Sequence, residues 1–125
     1  MSTYSAVTEK IEIQVVPNYS VEQSSPTTSR FMFTYHITVI NNSSKTYQLL
    51  SRYWIIRDGL KNEEEVQGPG VVGEQPIIAP GERFEYTSFC PLPTPTGSMR
   101  GHYVLKSEKG RTIKAAIPLF FLRVH

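Results

Sequence analysis

The chain holds a single cysteine, Cys90, so no internal disulfide can form and a reducing, cytoplasmic setting is expected. No run approaches the roughly eighteen apolar residues that a membrane helix requires. Residues 1–10 also lack the apolar stretch of a secretory leader, so no membrane partner is expected. Alanine occurs only four times in 125 residues and no segment repeats its apolar residues at helical spacing, which disfavours helix. Asp58 is the only aspartate, and neither H-x-x-x-H nor C-x-x-C spacing occurs, so no metal or cofactor is expected. Ser98 lies outside any G-x-S-x-G arrangement, and Cys90 sits between Phe89 and Pro91 with no imidazole or cation beside it. The residues give no argument for an enzyme.

Charge of one sign is also scarce, with 13 Lys and Arg against 11 Asp and Glu. The balance is uneven, because residues 1–98 carry a net −3 and residues 99–125 a net +5. Six cations between Arg100 and Arg123 are too sparse for the dense basic stripe of a nucleic-acid protein. They read as a solvated face, and no nucleic-acid partner is expected.

What is present is core and strand. Val, Ile, Leu and Phe supply 33 of the 125 residues, enough for one folded domain spanning 1–125. Residues suited to a pleated surface (Val, Ile, Tyr, Phe, Trp, Thr) supply 45. Val7, Ile11, Ile13 and Val15 fit a first strand, ended by Pro17-Asn18, and the polar Gln23–Arg30 reads as a loop. Phe31, Phe33, Tyr35, Ile37 and Val39 alternate cleanly with Met32, Thr34, His36, Thr38 and Ile40 in a second strand. A third, Tyr47–Asp58, is apolar on both sides, with Leu49, Tyr53 and Ile55 on one and Leu50, Trp54 and Ile56 on the other. That pattern suits a central strand covered twice. Glu63–Val66 fits a charged edge strand, Glu82–Cys90 another strand, and Met99–Ser107 with Arg111–Ile117 a closing hairpin. Pro118 marks a bulge or edge. Seven or so short strands predict an all-β antiparallel two-sheet sandwich of the immunoglobulin/fibronectin type III-like class, with Trp54 in its core; an eight-stranded barrel is the alternative.

Two stretches stand out as recognition elements. Gly68-Pro69-Gly70-Val71-Val72-Gly73 matches G-x-G-x-x-G, but Glu74-Gln75 follows where a P-loop needs Lys then Ser or Thr. Pro76 and Pro80 forbid the helix that a dinucleotide fingerprint opens. A structural loop and a backbone nest for phosphate both remain open. On the third strand, Arg52 and Trp54 share a side, either as a cation over a ring or as part of a contact surface. Glu63, Glu64 and Glu65 with Asp58 and Glu74 could offer oxygens to a hard cation, yet consecutive strand residues point oppositely, and a solvated edge is the better reading.

The segments Gln48–Ile56, Gly68–Pro76, Pro80–Ser88, Thr94–Gly101 and Ile117–Phe120 together resemble the ApaG family, also called CorD. The resemblance runs from about Val7 to Leu122. It implies a fibronectin type III-like sandwich, small and cytoplasmic in bacteria, and similar domains in eukaryotic F-box and polymerase-delta-interacting proteins look like interaction modules. It further implies a link to cobalt and magnesium efflux and to diadenosine tetraphosphate breakdown, and a pyrophosphate-binding role for the loop, here Gly68, Gly70 and Gly73. Tyr53 stands where the family commonly has His, and Phe89 where Gly is frequent. The expectation is a non-enzymatic binding module for a protein partner. Its surface would combine Gly68, Gly70, Gly73, Glu74 and Gln75 of the loop with Arg52, Tyr53 and Trp54. A nucleotide or pyrophosphate on the same loop is the alternative.

Overall fold

Strict alternation makes strands, and among residues 3–124, which the computed structural model describes, it yields nine. They are β1 (Tyr4–Thr8), β2 (Ile11–Ser25), β3 (Arg30–Asn41), β4 (Tyr47–Asp58), β5 (Glu63–Pro69), β6 (Ile77–Ile78), β7 (Arg83–Leu92), β8 (Thr96–Ser107) and β9 (Thr112–Arg123). One sheet has the order β1-β2-β3-β7; the other has β5-β4-β8-β9, with the short β6 also on β4. Every pairing is antiparallel. The chain changes sheet from β3 to β4, from β6 to β7 and from β7 to β8, the connectivity of an immunoglobulin/fibronectin type III-like sandwich.

The inner faces interlock through Ile13, Phe33, Ile37, Leu49, Tyr103 and Phe120, all buried. Trp54 lies among them as expected, edge-on to Tyr35 (ring centroids 5.4 Å apart), Tyr103 (6.4 Å) and Phe120 (6.0 Å). The layers meet along one flank, where β1 and β2 pack on β9. At the opposite flank the two edge strands, β5 and β7, stand apart and leave a mouth into the sandwich.

Four expectations need correction. The run Val7–Val15 is not one strand but a hairpin, turned at Glu9 (φ 45°) and Lys10 (φ 67°), so Val7 is 64% exposed. Pro17 does not end β2. The last β2 residue paired to β1 is Val15, so beyond it β2 has only β3 beside it and the ring displaces no third strand. The expected loop Gln23–Arg30 is shorter: β2 continues to Ser25, and a single 3₁₀ turn at Pro26–Thr28 leads into β3.

The fourth concerns β4. It is central in its sheet as expected, but it is not covered on both sides. Leu49 pairs with Leu105 and Ser51 with Val104, leaving Leu50 as a surplus residue in a bulge. The bulge reverses the alternation: Tyr47 and Leu49 point inward before it, Arg52, Trp54 and Ile56 after it. Tyr53 therefore faces out, stacked on His102. Pro118 behaves as expected, lying at the irregularity where Met99 pairs with Phe120 and Gly101 with Ile117.

Candidate functional site

The surplus residue of β4 explains how the glycine loop is held. The Leu50 carbonyl is turned out of the β8 ladder and accepts instead from the Gly70 N–H (2.7 Å) and the Gln75 side-chain amide (2.9 Å). Gln48 donates to the Gln75 carbonyl (3.1 Å), and the Leu49 N–H to that of Pro76 (3.0 Å). Val71 and Glu74 exchange two backbone bonds of 2.8 and 2.9 Å, closing a two-residue turn with Val72 at φ 44° and Gly73 at φ 80°. Val71 is fully buried and anchors the turn, while Val72 projects, 55% exposed.

Each glycine has a distinct reason. A Cβ on Gly70 would stand 2.2 Å from the Glu74 carbonyl oxygen, at a backbone φ of 63°. A Cβ on Gly68 would press on the Arg52 guanidinium, 3.3 Å from Nη2, whereas one on Gly73 would meet nothing. The loop is thus a stitched hairpin rather than a cradle of free amides. The N–H groups of Gly70, Val71 and Glu74 are all donated to the chain's own carbonyls, and those of Val72 and Gly73 have no acceptor among the described residues.

Arg52 enters the mouth from β4, half-buried. Its Nη1 donates to the carbonyls of Pro69 (3.0 Å) and Gly70 (2.9 Å), which fixes the guanidinium plane against the loop. It does not lie over Trp54; the one cation over a ring among the described residues is Arg123 on Phe121, 5.4 Å from the centroid. Two hollows meet at Arg52, Trp54, Tyr35 and Ser88. The smaller, about 410 Å³, lies under the loop and is completed by Pro69, Val71, Val72, Gly73 and Tyr86. The larger, about 510 Å³, runs between β5 and β7 past Val66, Phe89, Cys90 and Leu92, with Asp58, Glu63 and Glu64 along one rim.

Of the residues expected to form one surface, the structure brings together Arg52, Trp54, Gly68, Gly70 and Gly73. Trp54, buried in the core, contributes a wall rather than an exposed anchor. Glu74 and Gln75 continue the loop away from the mouth. Tyr53 lies on the opposite side of the sheet, where its hydroxyl donates to Glu65, a bond that raises its pKa. Tyr35 and Ser88, which face each other across β3 and β7, were not singled out from the sequence; each looks there like an ordinary step of a strand alternation.

The remaining candidates are occupied. Glu63 pairs with Arg100 (3.6 Å), and Asp58 accepts from the N–H groups of Leu60 (2.8 Å) and Asn62 (3.1 Å). No three acidic, His or Cys side chains gather among the described residues. Burial pushes the Cys90 thiol up to about 12, assisted by the Glu64 charge.

Comparison with known proteins agrees with this architecture. A family model described as the ApaG domain matches residues 21–107. Protein ApaG of Mesorhizobium japonicum is 51% identical over 119 residues, 95% of this chain and 92% of that one. Protein ApaG of Brucella canis is 49% identical over 121 residues, 97% of this chain and 93% of its own. The crystal structure of a Bordetella pertussis protein named ApaA has a TM-score of 0.89 at 46% identity, covering 91% of this chain and 93% of that one. The C-terminal domain of Wzt, at 9% identity and a TM-score of 0.58, covering 98% of this chain and 78% of that one, shares the fold alone. With its sandwich, its stitched glycine loop and these relatives, the chain belongs to the ApaG domain family.

Proposed function

We propose that this chain is a non-enzymatic, cytoplasmic binding module for a protein partner, and that its recognition site is the mouth between β5 and β7, rimmed by the glycine loop. The observation that carries this is Arg52: a half-buried cation held in place by two loop carbonyls, with a hollow on either side. A rigid rim lowers the ordering cost of association, and an arginine beside aromatic walls is a common anchor. Against catalysis stands the chemistry of the lining. Neither hollow is bordered by histidine, the Cys90 thiol is protonated at neutral pH, and burial raises the Tyr35 phenol. Any link to cobalt and magnesium efflux then runs through the partner.

The test is a crosslinking pull-down from the native host with wild type, Val72→Asp and Phe89→Ser. Both substituted side chains are more than half exposed at the rim, so the fold is spared. Wild type should recover a partner that both variants lose; equal recovery by all three rejects the mouth. Trp54→Ala is unsuitable, because Trp54 is core.

A second reading keeps the anion. Val72 and Gly73, whose N–H groups have no acceptor among the described residues, border one hollow together with Arg52 and Ser88, which supports a phosphate or pyrophosphate there. Calorimetric titration with pyrophosphate and ATP should give heats that shrink with salt, and flat heats at millimolar ligand remove this reading.

A further inference from the structure

We propose that the mouth takes a carboxylate carried on an apolar stretch of polypeptide, the carboxylate lying on the free edge of the Arg52 guanidinium; this rests on the mouth being the recognition site. Two Arg–carboxylate ion pairs and a His36–Glu85 contact occur among the described residues, and Arg52 belongs to none of them. Its protein partners are two neutral carbonyls, both reached by Nη1. A guanidinium partly withdrawn from water among aromatic rings lacks the opposite charge that offsets its desolvation. Nη2 and Nε remain for a ligand, and a carboxylate meets such an edge with two parallel hydrogen bonds.

Charge count selects carboxylate over polyphosphate. Arg52 is the only Lys or Arg bordering either hollow, while Asp58, Glu63 and Glu64 border the larger. A pyrophosphate or nucleotide brings several negative charges against one cation, with Asp58 and Glu64 along the rim of the larger hollow and Glu63 offset by Arg100. A single carboxylate is matched one to one. The larger hollow also offers apolar wall, Val66 and Leu92, whereas the smaller presents mostly polar surface around Arg52, Ser88 and the tyrosines. An apolar side chain flanking the acid would fill the larger space while the chain lies across the gap between two strand edges.

The experiment selects a phage-displayed random peptide library on the immobilised full chain, then titrates synthetic winners by calorimetry. Selected peptides should carry Asp or Glu beside an apolar residue. Replacing that Glu by Gln in the peptide, which leaves the protein untouched, should weaken binding roughly ten- to a hundredfold. Ser88→Asp should supply an internal carboxylate to Arg52, abolish peptide binding and raise the melting temperature. Recovery of no peptides, absence of acidic enrichment, equal binding of Glu and Gln peptides, or tighter binding of pyrophosphate than of peptide each overturns the proposal. If Val72→Asp and Phe89→Ser lose the peptides while Glu and Gln forms bind wild type alike, the mouth stands and the carboxylate falls. If those variants bind unchanged, the mouth itself falls.

Discussion

Tyr86 of β7 and Tyr103 of β8 share a hydrogen bond across the two layers, beside the smaller hollow. Tyr103 is fully buried, so its hydroxyl has no route to water, while Tyr86, 8% exposed, borders the smaller hollow. Tyr86→Phe therefore strands the Tyr103 hydroxyl and costs roughly 1–3 kcal/mol, and Tyr103→Phe should cost less, because the Tyr86 hydroxyl is left beside the hollow. The double variant strands nothing, so its loss should fall well short of the sum, with a coupling of about 1–3 kcal/mol. Urea unfolding followed by the fluorescence of Trp54, the one tryptophan, reads all four proteins. Two neutral single variants, or a double variant equal to the sum, would refute the reasoning. An alkaline titration provides a second check. Burial holds both phenols above their ordinary value, whereas in the unfolded chain they ionise near about 10. A raised folded pKa gives stability that is intact below that unfolded value and lost as the pH climbs beyond it. The double Phe variant should lose less stability than wild type above about pH 10.

Two further outcomes follow from the site. Gly70→Ala forces a Cβ to 2.2 Å from a backbone carbonyl and should cost about 2–4 kcal/mol. Gly73→Ala, with open space around it and only its φ of 80° to pay for, should cost about 1 kcal/mol; equal melting temperatures for the two would contradict the loop geometry. Cys90, 2% exposed, should resist iodoacetamide in the native protein and react only as fast as the chain opens, so rapid labelling would place it elsewhere.

Much of the sandwich is written in period-two patterning. The alternation from Phe31 to Ile40 gives β3 and its buried side directly, and Trp54 lands in the core as composition suggests. What escapes the eye depends on partners distant in sequence. The Glu9-Lys10 turn lacks the Asn-Gly signature, and its left-handed residues follow from the pairing of Thr8 with Ile11. The reversal in β4 follows from residue counts on β8, since Leu50 is surplus only against Val104 and Leu105. Grouping Arg52, Tyr53 and Trp54 as one surface runs against the alternation itself, which already sets Tyr53 on the other side of β4 from its two neighbours. The glycine motif was legible as a loop, and Pro76 correctly argued against a helix, but the commitment of its amides to Leu50 and Glu74 needed coordinates.

That surplus residue has a consequence for what kind of throat the molecule owns. Excise Leu50 and β4 would pair one to one with β8, Leu49 on Leu105 and Ser51 on Val104; Arg52 and Trp54 would still point inward and Tyr53 outward, but the bulge would flatten. The orphaned loop would lose its shared acceptor in the same stroke. One extra backbone position, rather than any one side chain, is what ties the rim of the mouth to the sheet beneath it.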